Sequence, residues 1–467
     1  MMKNFKISII ISFLYFLADL VAAQSGVFDI TKFGGAPDAD ITKAFTTAWN
    51  EACASTTAAK IVIPVGTYKM GLLEVKGPCK APVEVQVDGT IQAPPNNADL
   101  KGAEQWIRFD GIDSLTVSGK GVFDGQGATA WKDASIAWKD KDHGKGSKLR
   151  AINVYFANCK NCLVTGVTSK DSKYFHFMVL GCTNIKFDAV KIIAPDESPN
   201  TDGIHLGRSN GVTIINTDIG TGDDCVSLGD GSKNVTVENV KCGPGHGISV
   251  GSLGKYPNEE DVAGFIVKNC TLTKTENGVR IKTWPDTPGK ITVSDMHFED
   301  ITMNDVMNPV IVDQEYCPWN QCSKKNPSQI KLSKVTFKNI KGTSGTSEGV
   351  IIICSSGVPC DGVELNNVDL TFNGAPAVAK CSHVKPVVTG KAPVCGGSTS
   401  ASPSASPTSP SASPSASPAS TSASPSASPT SDSTSPSASP ASASASPSTS
   451  PASSSASPST SPASAPA

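Results

Sequence analysis

Three short segments in the middle of the chain share one pattern: GIHLG (203–207), CVSLG (225–229) and GISVG (247–251). Their starting positions, 203, 225 and 247, are equally spaced along the chain. A related segment, FMVLG (177–181), precedes this set, and GVRIK (278–282) follows it after a longer interval. Each is a short run with apolar residues such as Val, Ile or Leu at alternate positions and glycine at one or both ends, which predicts β-strands. One strand type that recurs at a regular interval indicates stacked structural repeats.

A second strand series runs in step with the first: NIKF (184–187), GVTI (211–214), NVTV (234–237) and GFIV (264–267). Two series that share periods of roughly 20–30 residues are typical of a parallel β-helix. A β-sandwich, the alternative all-β fold, would show hairpin turns roughly every 8 to 12 residues. We therefore predict an all-β parallel β-helix, in which equivalent positions of successive coils lie about 4.8 Å apart.

One helix is predicted ahead of the strand repeats, over residues 40–54. Asp40 can cap it, and this N-terminal helix is expected to cover the open end of the β-helix. Its apolar residues recur at helical spacing: Ile41, Ala44, Phe45, Trp49 and Ala52.

Composition divides the chain into three segments. Residues 1–23 combine a basic start, an apolar run and a small-residue cleavage site, which predicts a signal peptide. A membrane anchor is the alternative, but the run is too short to cross about 30 Å of hydrocarbon. Residues 396–467 are rich in Ser, Pro and Ala and predict a disordered tail, either O-glycosylated or a plain spacer. Residues 24–395 remain for the β-helix domain.

The 467 residues contain 40 Lys and Arg against 42 Asp and Glu, a net charge of −2, which excludes a generally basic nucleic-acid binder. All 14 cysteines lie within residues 24–395, and an even number in a secreted chain indicates disulfides. Three local pairings are plausible: Cys225–Cys242, Cys354–Cys360 and Cys381–Cys395. The CKNC segment (159–162) could be half a zinc site or a redox pair, but without a second such segment a disulfide or buried structural cysteines are favoured. Asn234 and Asn269 each begin an N-glycosylation sequon.

Polar residues flank the repeated strand in a regular way. Asp202 precedes the first copy, Asp223 and Asp224 precede the second, and His246 precedes the third. Asp202, Asp224 and His246 are separated by the same interval as the strands, so they should occupy one position on three successive coils. Carboxylates brought together in this way repel one another, and one of them should have a raised pKa. An acid beside carboxylates that can deprotonate water is what glycoside hydrolysis requires.

Arg280 and Lys282 alternate along the fourth copy and should point the same way from one strand. Together they would bind an anionic sugar. A single Asp at such a turn is more commonly structural, and three carboxylates would also suit a calcium site. It is the joint pattern that favours hydrolysis of an acidic polysaccharide.

The segments NTD (200–202), GDD (222–224), GHG (245–247) and RIK (280–282), in this order, resemble the four signature segments of polygalacturonases, the pectin hydrolases of glycoside hydrolase family 28. The resemblance covers the chain from about residue 27 to residue 395. It implies a right-handed parallel β-helix and inverting hydrolysis of α-1,4-linked galacturonan. It implies no metal and no other cofactor.

The resemblance also implies residue roles. Asp223 resembles the general acid, Asp202 and Asp224 resemble the pair that activates water, and His246 resembles the histidine that supports the protonation state of the acid. Inverting sites separate their carboxyls by roughly 6.5–9.5 Å. The residues that resemble substrate-binding positions are Asn200, Arg280, Lys282 and Tyr316, with Arg280 and Lys282 holding the galacturonate carboxylate.

Gly222 departs from the Gln that many members have before the paired aspartates. Residues 243–254 and 312–319 are most similar to plant pollen exopolygalacturonases. The expected protein is therefore a secreted, exo-acting cell-wall enzyme that releases galacturonic acid. An endo enzyme is the alternative within the family, and a calcium-dependent pectate lyase or a non-catalytic pectin-binding glycoprotein are alternatives outside it. We expect pectin as the partner, no nucleic acid, no membrane, and a monomer.

Overall fold

The computed structural model describes residues 26–132, 150–320 and 322–395. The predicted signal peptide (1–23) and tail (396–467) lie outside these ranges. In the part of the chain that is described, no helix has the length and apolar character needed to cross a membrane.

The secondary-structure elements are numbered along the chain. The helices are α1 (Thr42–Ala54) and α2 (Ala128–Lys132), with 3-10 turns at Ile30–Phe33, Asn97–Leu100 and Pro318–Asn320. The strands are β1 (Val27–Asp29), β2 (Ala59–Ile63), β3 (Thr67–Lys69), β4 (Leu73–Lys76), β5 (Val83–Val87), β6 (Thr90–Gln92), β7 (Gln105–Asp110), β8 (Leu115–Ser118), β9 (Val122–Asp124), β10 (Ile152–Ala157), β11 (Lys160–Thr165), β12 (Thr168–Lys170), β13 (Phe177–Leu180), β14 (Thr183–Asp188), β15 (Lys191–Ile193), β16 (Ile204–Gly207), β17 (Asn210–Ile215), β18 (Asp218–Gly220), β19 (Val226–Leu228), β20 (Lys233–Glu238), β21 (Lys241–Cys242), β22 (Ile248–Leu253), β23 (Val262–Lys268), β24 (Thr271–Thr273), β25 (Asn277–Thr283), β26 (Thr292–Val306), β27 (Asn308–Asp313), β28 (Lys331–Ser344), β29 (Glu348–Ile353), β30 (Asp361–Phe372), β31 (Ala375–Pro376), β32 (Val378–Ser382) and β33 (Val387–Thr389).

Among the described residues, eleven strands form one parallel sheet, the front sheet, in the order β4-β7-β10-β13-β16-β19-β22-β25-β27-β29-β32. Its register follows the sequence repeat, because Ile204 pairs with Val226, Val226 with Ile248, and Ile248 with Val279. The second strand series pairs in the same way in the 22-stranded sheet, at Ile185, Val212, Val235 and Phe265. The predicted right-handed parallel β-helix is confirmed.

The core lies inside the coils, where one face of every strand stacks on the same face of the next. Ile204, Val226, Ile248 and Val279 are each 0% exposed. Burying a side chain of this size contributes roughly 1.5–3 kcal/mol relative to leaving it in water. The repeat therefore stabilises the fold coil by coil, since each coil covers the apolar face of its neighbour.

Helix α1 begins at Thr42, slightly later than the predicted start at Asp40. Ile41 occupies the N-cap position, and the Asp40 carboxylate accepts the Thr42 backbone N–H at 2.8 Å from one position further back. The predicted apolar face is buried, and Trp49 packs on Phe109 of β7 with ring centroids 5.9 Å apart. The helix packs on β1, β2 and β4, so it covers the first coils as expected.

The three predicted disulfides form: Cys225–Cys242, Cys354–Cys360 and Cys381–Cys395. Cys53–Cys79 and Cys317–Cys322 are also bonded. Four cysteines remain buried thiols inside the coils and contact strand carbonyls, which for Cys159 and Cys162 is the structural alternative to a disulfide. They are Cys159, Cys162, Cys182 and Cys270.

Candidate active site

The front sheet brings the predicted site residues to one place. Because β16, β19 and β22 are in register, the turns that precede them place Asp202, Asp224 and His246 on three successive coils. Asp223 projects from the same turn as Asp224. The four residues come from the chain segments that sequence spacing singles out.

Gly222 is required by the packing of that turn. A Cβ on Gly222 would lie 2.0 Å from the carbonyl oxygen of Ser198. The Gly222 backbone N–H donates to Thr201 Oγ1 at 3.0 Å, and Thr201 Oγ1 lies 2.7 Å from Ser198 Oγ. Any side chain at position 222, including the Gln of many family members, would collide with Ser198 in the turn before Asp202. Glycine at this position therefore has a local steric cause.

Asp224 is the most tightly held carboxylate, with a side chain that is 4% exposed. Its Oδ1 accepts hydrogen bonds from Arg280 at 3.0 Å and from Ser249 at 2.7 Å. Its Oδ2 accepts one from Lys282 at 2.9 Å. Burial alone would raise the pKa of Asp224, but the charges of Lys282 and Arg280 outweigh burial and lower it to about 2. Asp224 is therefore held ionised.

Asp202 occupies the same position one coil earlier but lacks a basic partner of this kind. Its Oδ2 accepts a hydrogen bond from Ser227 at 2.7 Å, and its side chain is 8% exposed. Burial raises the pKa of Asp202, and the charge of Asp223 adds to that, bringing it to about 6. One carboxyl of the cluster thus has a raised pKa as predicted, but it is Asp202, whereas the residue that resembles the general acid is Asp223.

Asp223 is the most exposed of the three carboxylates, at 19%. Its Oδ1 accepts the Asp224 backbone N–H at 2.8 Å and lies 3.0 Å from His246 Nδ1. The other oxygen, Oδ2, accepts a hydrogen bond from Asn200 at 3.4 Å. Of the three, Asp223 is the best placed to reach a bound substrate.

His246 lies between two acidic groups. Its Nδ1 faces Asp223, and its Nε2 lies 3.1 Å from Glu276 Oε2. Burial alone would lower the pKa of His246, but the hydrogen bond and charge of Asp223, with Asp224 and Glu276, raise it to about 9. His246 is therefore a cation at neutral pH, and both of its ring nitrogens donate.

Arg280 and Lys282 point from β25 toward Asp224, as their spacing predicts. Their side chains are 13% and 8% exposed. Tyr316 lies beside them, with Lys282 Nζ 5.7 Å from its ring centroid, and Trp284 packs edge-on at 5.3 Å. The structure brings Tyr316 to the cationic side of the site.

A cavity of about 610 Å³ opens on the other side of His246. Four carboxylates and one lysine line it: Asp196, Glu197, Glu276, Asp305 and Lys274. The cationic His246 also lines the cavity, so its lining has four acidic and two basic side chains and attracts a carboxylate less than the side of Arg280 and Lys282 does.

One ligand atom each of Asp223, Asp224 and His246 lies within 4.8 Å of the others. This trio does not fit a cation, because Arg280 and Lys282 already occupy both Asp224 oxygens and His246 carries a charge of its own. The carboxylate oxygens of Asp223 and Asp224 therefore lie closer together than the roughly 6.5–9.5 Å expected between the two carboxyls of an inverting site. Asp223 and Asp224 are closer because they are consecutive residues of one turn.

Four further residues complete the site, and sequence reasoning missed them. His205, Ser227 and Ser249 occupy the third position of the repeated strand, which is also the position of Arg280. Their shared position in the repeat was a usable signal. Glu276 comes from the turn before β25, and no repeated pattern marks it.

Known proteins similar to this chain point to one family. A family model described as "Glycosyl hydrolases family 28" matches residues 53–395. A polygalacturonase of Medicago sativa is 68% identical over 395 residues, which cover 84% of this chain and 93% of the relative. An exopolygalacturonase of Oenothera organensis is 52% identical over 364 residues, 77% of this chain and 99% of the relative. Among solved structures, a hyperthermoactive exopolygalacturonase from Thermotoga maritima has the same fold, with a TM-score of 0.64 at 18% identity over 78% of this chain and 92% of that one. The chain belongs to family 28 of the glycosyl hydrolases.

Proposed function

We propose that this family 28 member hydrolyses the α-1,4 linkages of pectic galacturonan and acts from the chain end to release galacturonic acid. The observation that carries the proposal is the cluster of three carboxylates, with Arg280 and Lys282 beside Asp224 and the cationic His246 beside Asp223. Asp223 is accessible, Asp224 is held ionised, and Arg280 and Lys282 provide the local positive charge that an acidic sugar needs.

In this mechanism Asp223 donates its proton to the glycosidic oxygen as the bond to the anomeric carbon breaks. A water attacks that carbon from the opposite face and gives its proton to the pair Asp202 and Asp224. With a pKa of about 6, Asp202 is the better proton acceptor, while Asp224 stays ionised beside its cations. Solvent then restores the proton on Asp223.

His246 supports the acid by stabilising the anion that proton transfer leaves behind. Its Nδ1–H and the Asp224 backbone N–H both point to Asp223 Oδ1, at 3.0 and 2.8 Å. Arg280 and Lys282 retain donors beyond those used by Asp224, because a guanidinium has five and an ammonium has three. Those donors bind the substrate carboxylate, with the Tyr316 ring beside them.

The exo mode is supported by the 52% identical exopolygalacturonase of Oenothera organensis. Single displacement with inversion is supported by family membership. The basic, apolar start of the chain supports secretion to the cell wall. Endo action is the alternative, because relatives named simply polygalacturonase match the chain over a similar extent.

The test is product analysis on de-esterified polygalacturonate by anion-exchange chromatography, with a chelator present. Galacturonic acid alone from the earliest time supports exo hydrolysis. A ladder of oligomers would overturn the exo mode and leave an endo hydrolase. An unsaturated product that disappears with the chelator would indicate a lyase instead. The anomer formed first, read by NMR, tests inversion.

Asp223→Asn distinguishes an enzyme from a pectin-binding protein. The variant should lose about three or more orders of magnitude in kcat and keep its affinity for oligogalacturonate, because the acid is removed while Arg280 and Lys282 remain. Wild-type protein that binds the polymer without any turnover would favour the binding protein. We also propose that the tail affects only retention in the wall or solubility, so removing residues 396–467 should leave hydrolysis unchanged.

A further inference from the structure

We propose that His205 is a positioning residue that orients the carboxylate of Asp202 through the hydroxyl of Ser227. The inference rests on the role proposed for Asp202 as a proton acceptor. It adds to the site a second histidine, which acts on Asp202, whereas His246 contacts Asp223.

The connection is a short relay along the front sheet. His205 Nδ1 lies 2.7 Å from Ser227 Oγ, and Ser227 Oγ lies 2.7 Å from Asp202 Oδ2. The direct separation of His205 Nδ1 from Asp202 Oδ2 is 3.8 Å, too long for a hydrogen bond. Ser227 is 2% exposed, so water does not replace it readily. His205 therefore acts on Asp202 through Ser227.

The proton count along the relay defines the tautomer of His205. A serine hydroxyl has one hydrogen, and Ser227 donates it to Asp202. Ser227 Oγ must then accept from His205, so Nδ1 carries a hydrogen. A donor on Nδ1 polarises the hydroxyl toward the carboxylate and strengthens the second bond. This is the arrangement expected for a residue that holds a base in place.

Stacking holds the imidazole ring itself. The Phe175 ring lies against His205 with centroids 4.6 Å apart and planes tilted by 20°. Tyr174 stacks on Phe175 in turn, at 4.0 Å. A ring packed in this way has little freedom to turn, so Nδ1 stays directed at Ser227.

A similar chain of carboxylate, serine and basic side chain occurs at Asp224, but its basic side chain is an arginine. Ser249 pairs in register with Ser227 and donates to Asp224 at 2.7 Å, as Ser227 donates to Asp202. Behind Ser249 the third member is Arg280, whose Nε lies 3.3 Å from Ser249 Oγ. Arg280 also bonds Asp224 directly, whereas His205 reaches Asp202 only through the serine. One carboxylate is paired with a permanent cation, and the other is oriented by an imidazole.

Among the titratable neighbours of Asp202, His205 is the one that can stabilise its ionised carboxylate. The titratable groups that face Asp202 are Asp223 and Asp224 from the next coil and His205 from its own coil. The preceding coil offers the backbone N–H of His176, which donates to the Asp202 carbonyl at 2.8 Å, while the His176 ring bonds Ser169. Of these neighbours, His205 is the one that favours the ionised form of Asp202.

Kinetics of four variants on a short oligogalacturonate test the role. His205→Ala and Ser227→Ala should each lower kcat about tenfold with KM nearly unchanged, the loss expected for one buried hydrogen bond to a charged group. The double variant should lose little more, since both changes break one relay. His205→Asn should recover most of kcat, because its amide N–H can occupy the place of Nδ1–H. Met178→Ala, one coil below His205 in register, is the control and should keep kcat.

The pH profile gives a second readout that loss of packing would not move. Without His205 the acidic limb of kcat/KM should shift to higher pH, because His205 lowers the pKa of Asp202. An increase in KM alone would make His205 a substrate contact and overturn the proposal. Equal losses in His205→Ala and His205→Asn, or additive losses in the double variant, would also overturn it. If His205→Ala does not fold, the kcat values of Ser227→Ala and His205→Asn still test the relay. A wild-type protein without turnover would instead count against the proposed function.

Discussion

Replacing Asp202 and Asp224 by Asn, one at a time, should change the free energy of unfolding in opposite directions. The pKa of Asp224 is lowered from 3.8 to about 2. A lowered pKa stabilises the fold above the unfolded value, and that stabilisation is lost as pH falls from about 4 to about 2. At neutral pH it amounts to about 2 kcal/mol. Asp224→Asn also leaves Arg280 and Lys282 without their counter-charge, and breaking a buried pair costs about 3–5 kcal/mol.

The sign is reversed for Asp202, whose pKa is raised from 3.8 to about 6. A raised pKa stabilises the fold fully below the unfolded value, and that contribution is lost as pH rises through about 6. At pH 7 the ionised Asp202 therefore costs about 3 kcal/mol relative to its neutral form. Asp202→Asn removes the charge and keeps an oxygen to accept from Ser227. It should raise the stability at pH 7 and have little effect near pH 4.

Urea unfolding followed by tryptophan fluorescence, at pH 7 and at pH 4, measures both effects. Asp218→Asn is the matched control, since the Asp218 side chain is 56% exposed and its ion pair with Lys241 lies in solvent. Both site variants should lose turnover and the control should keep it, so stability and activity separate within one set. The reasoning is refuted if Asp202→Asn and Asp224→Asn shift the free energy of unfolding in the same direction, or if the effect of Asp202→Asn does not depend on pH.

His246, the sequons and the buried thiols each carry a further expectation. Glu276→Gln should move the alkaline limb of kcat to lower pH, because Glu276 helps to raise the pKa of His246 to about 9; an unmoved limb in the pH–rate profile would contradict this. In protein recovered from a plant secretory pathway, glycopeptide mass spectrometry should find the glycan on Asn269 and not on Asn234. Asn234 Nδ2 donates to Asn210 at 2.8 Å, whereas the Asn269 side chain makes no hydrogen bond to the described residues; glycan on Asn234 alone would be the opposite result. Thiol titration without reductant should be negligible in the folded protein and reach four per chain in denaturant, fewer thiols meaning a further disulfide. These thiols are Cys159, Cys162, Cys182 and Cys270.

The fold could be predicted from the sequence because the length of one β-helix coil appears as a regular interval between similar strands. The equal spacing of Ile204, Val226 and Ile248 corresponds to one coil, and the structure pairs these residues directly. The start of α1 could not be located as well. Asp40 has the expected side chain and does accept a helix amide, but it does so from one position before the N-cap, a difference that spacing does not resolve.

The candidate site could be predicted where chemistry coincides with the repeat. Asp202, Asp224 and His246 were found because they share a position on successive coils. Glu276 was not found, because it reaches His246 from a longer coil whose extended turn breaks the spacing. The sequence also did not predict which carboxylate pairs with Arg280 and Lys282. Both bond Asp224 from two coils further along the chain, and that contact depends on the direction of their side chains.

The opposite pKa changes of Asp202 and Asp224 follow from one repeated position filled by different residues. Both carboxylates are buried, and each accepts a hydrogen bond from a serine one coil ahead. Burial alone would raise both pKa values, so backbone geometry does not distinguish them. The difference lies in what stands beside the serine, an imidazole at His205 and a guanidinium at Arg280 with Lys282 near it. Because each coil supplies that residue separately, the pKa of one carboxyl can be changed without moving the other. A β-helix can thus build an acceptor and a fixed anion from the same turn, which is the separation of roles that acid–base hydrolysis needs.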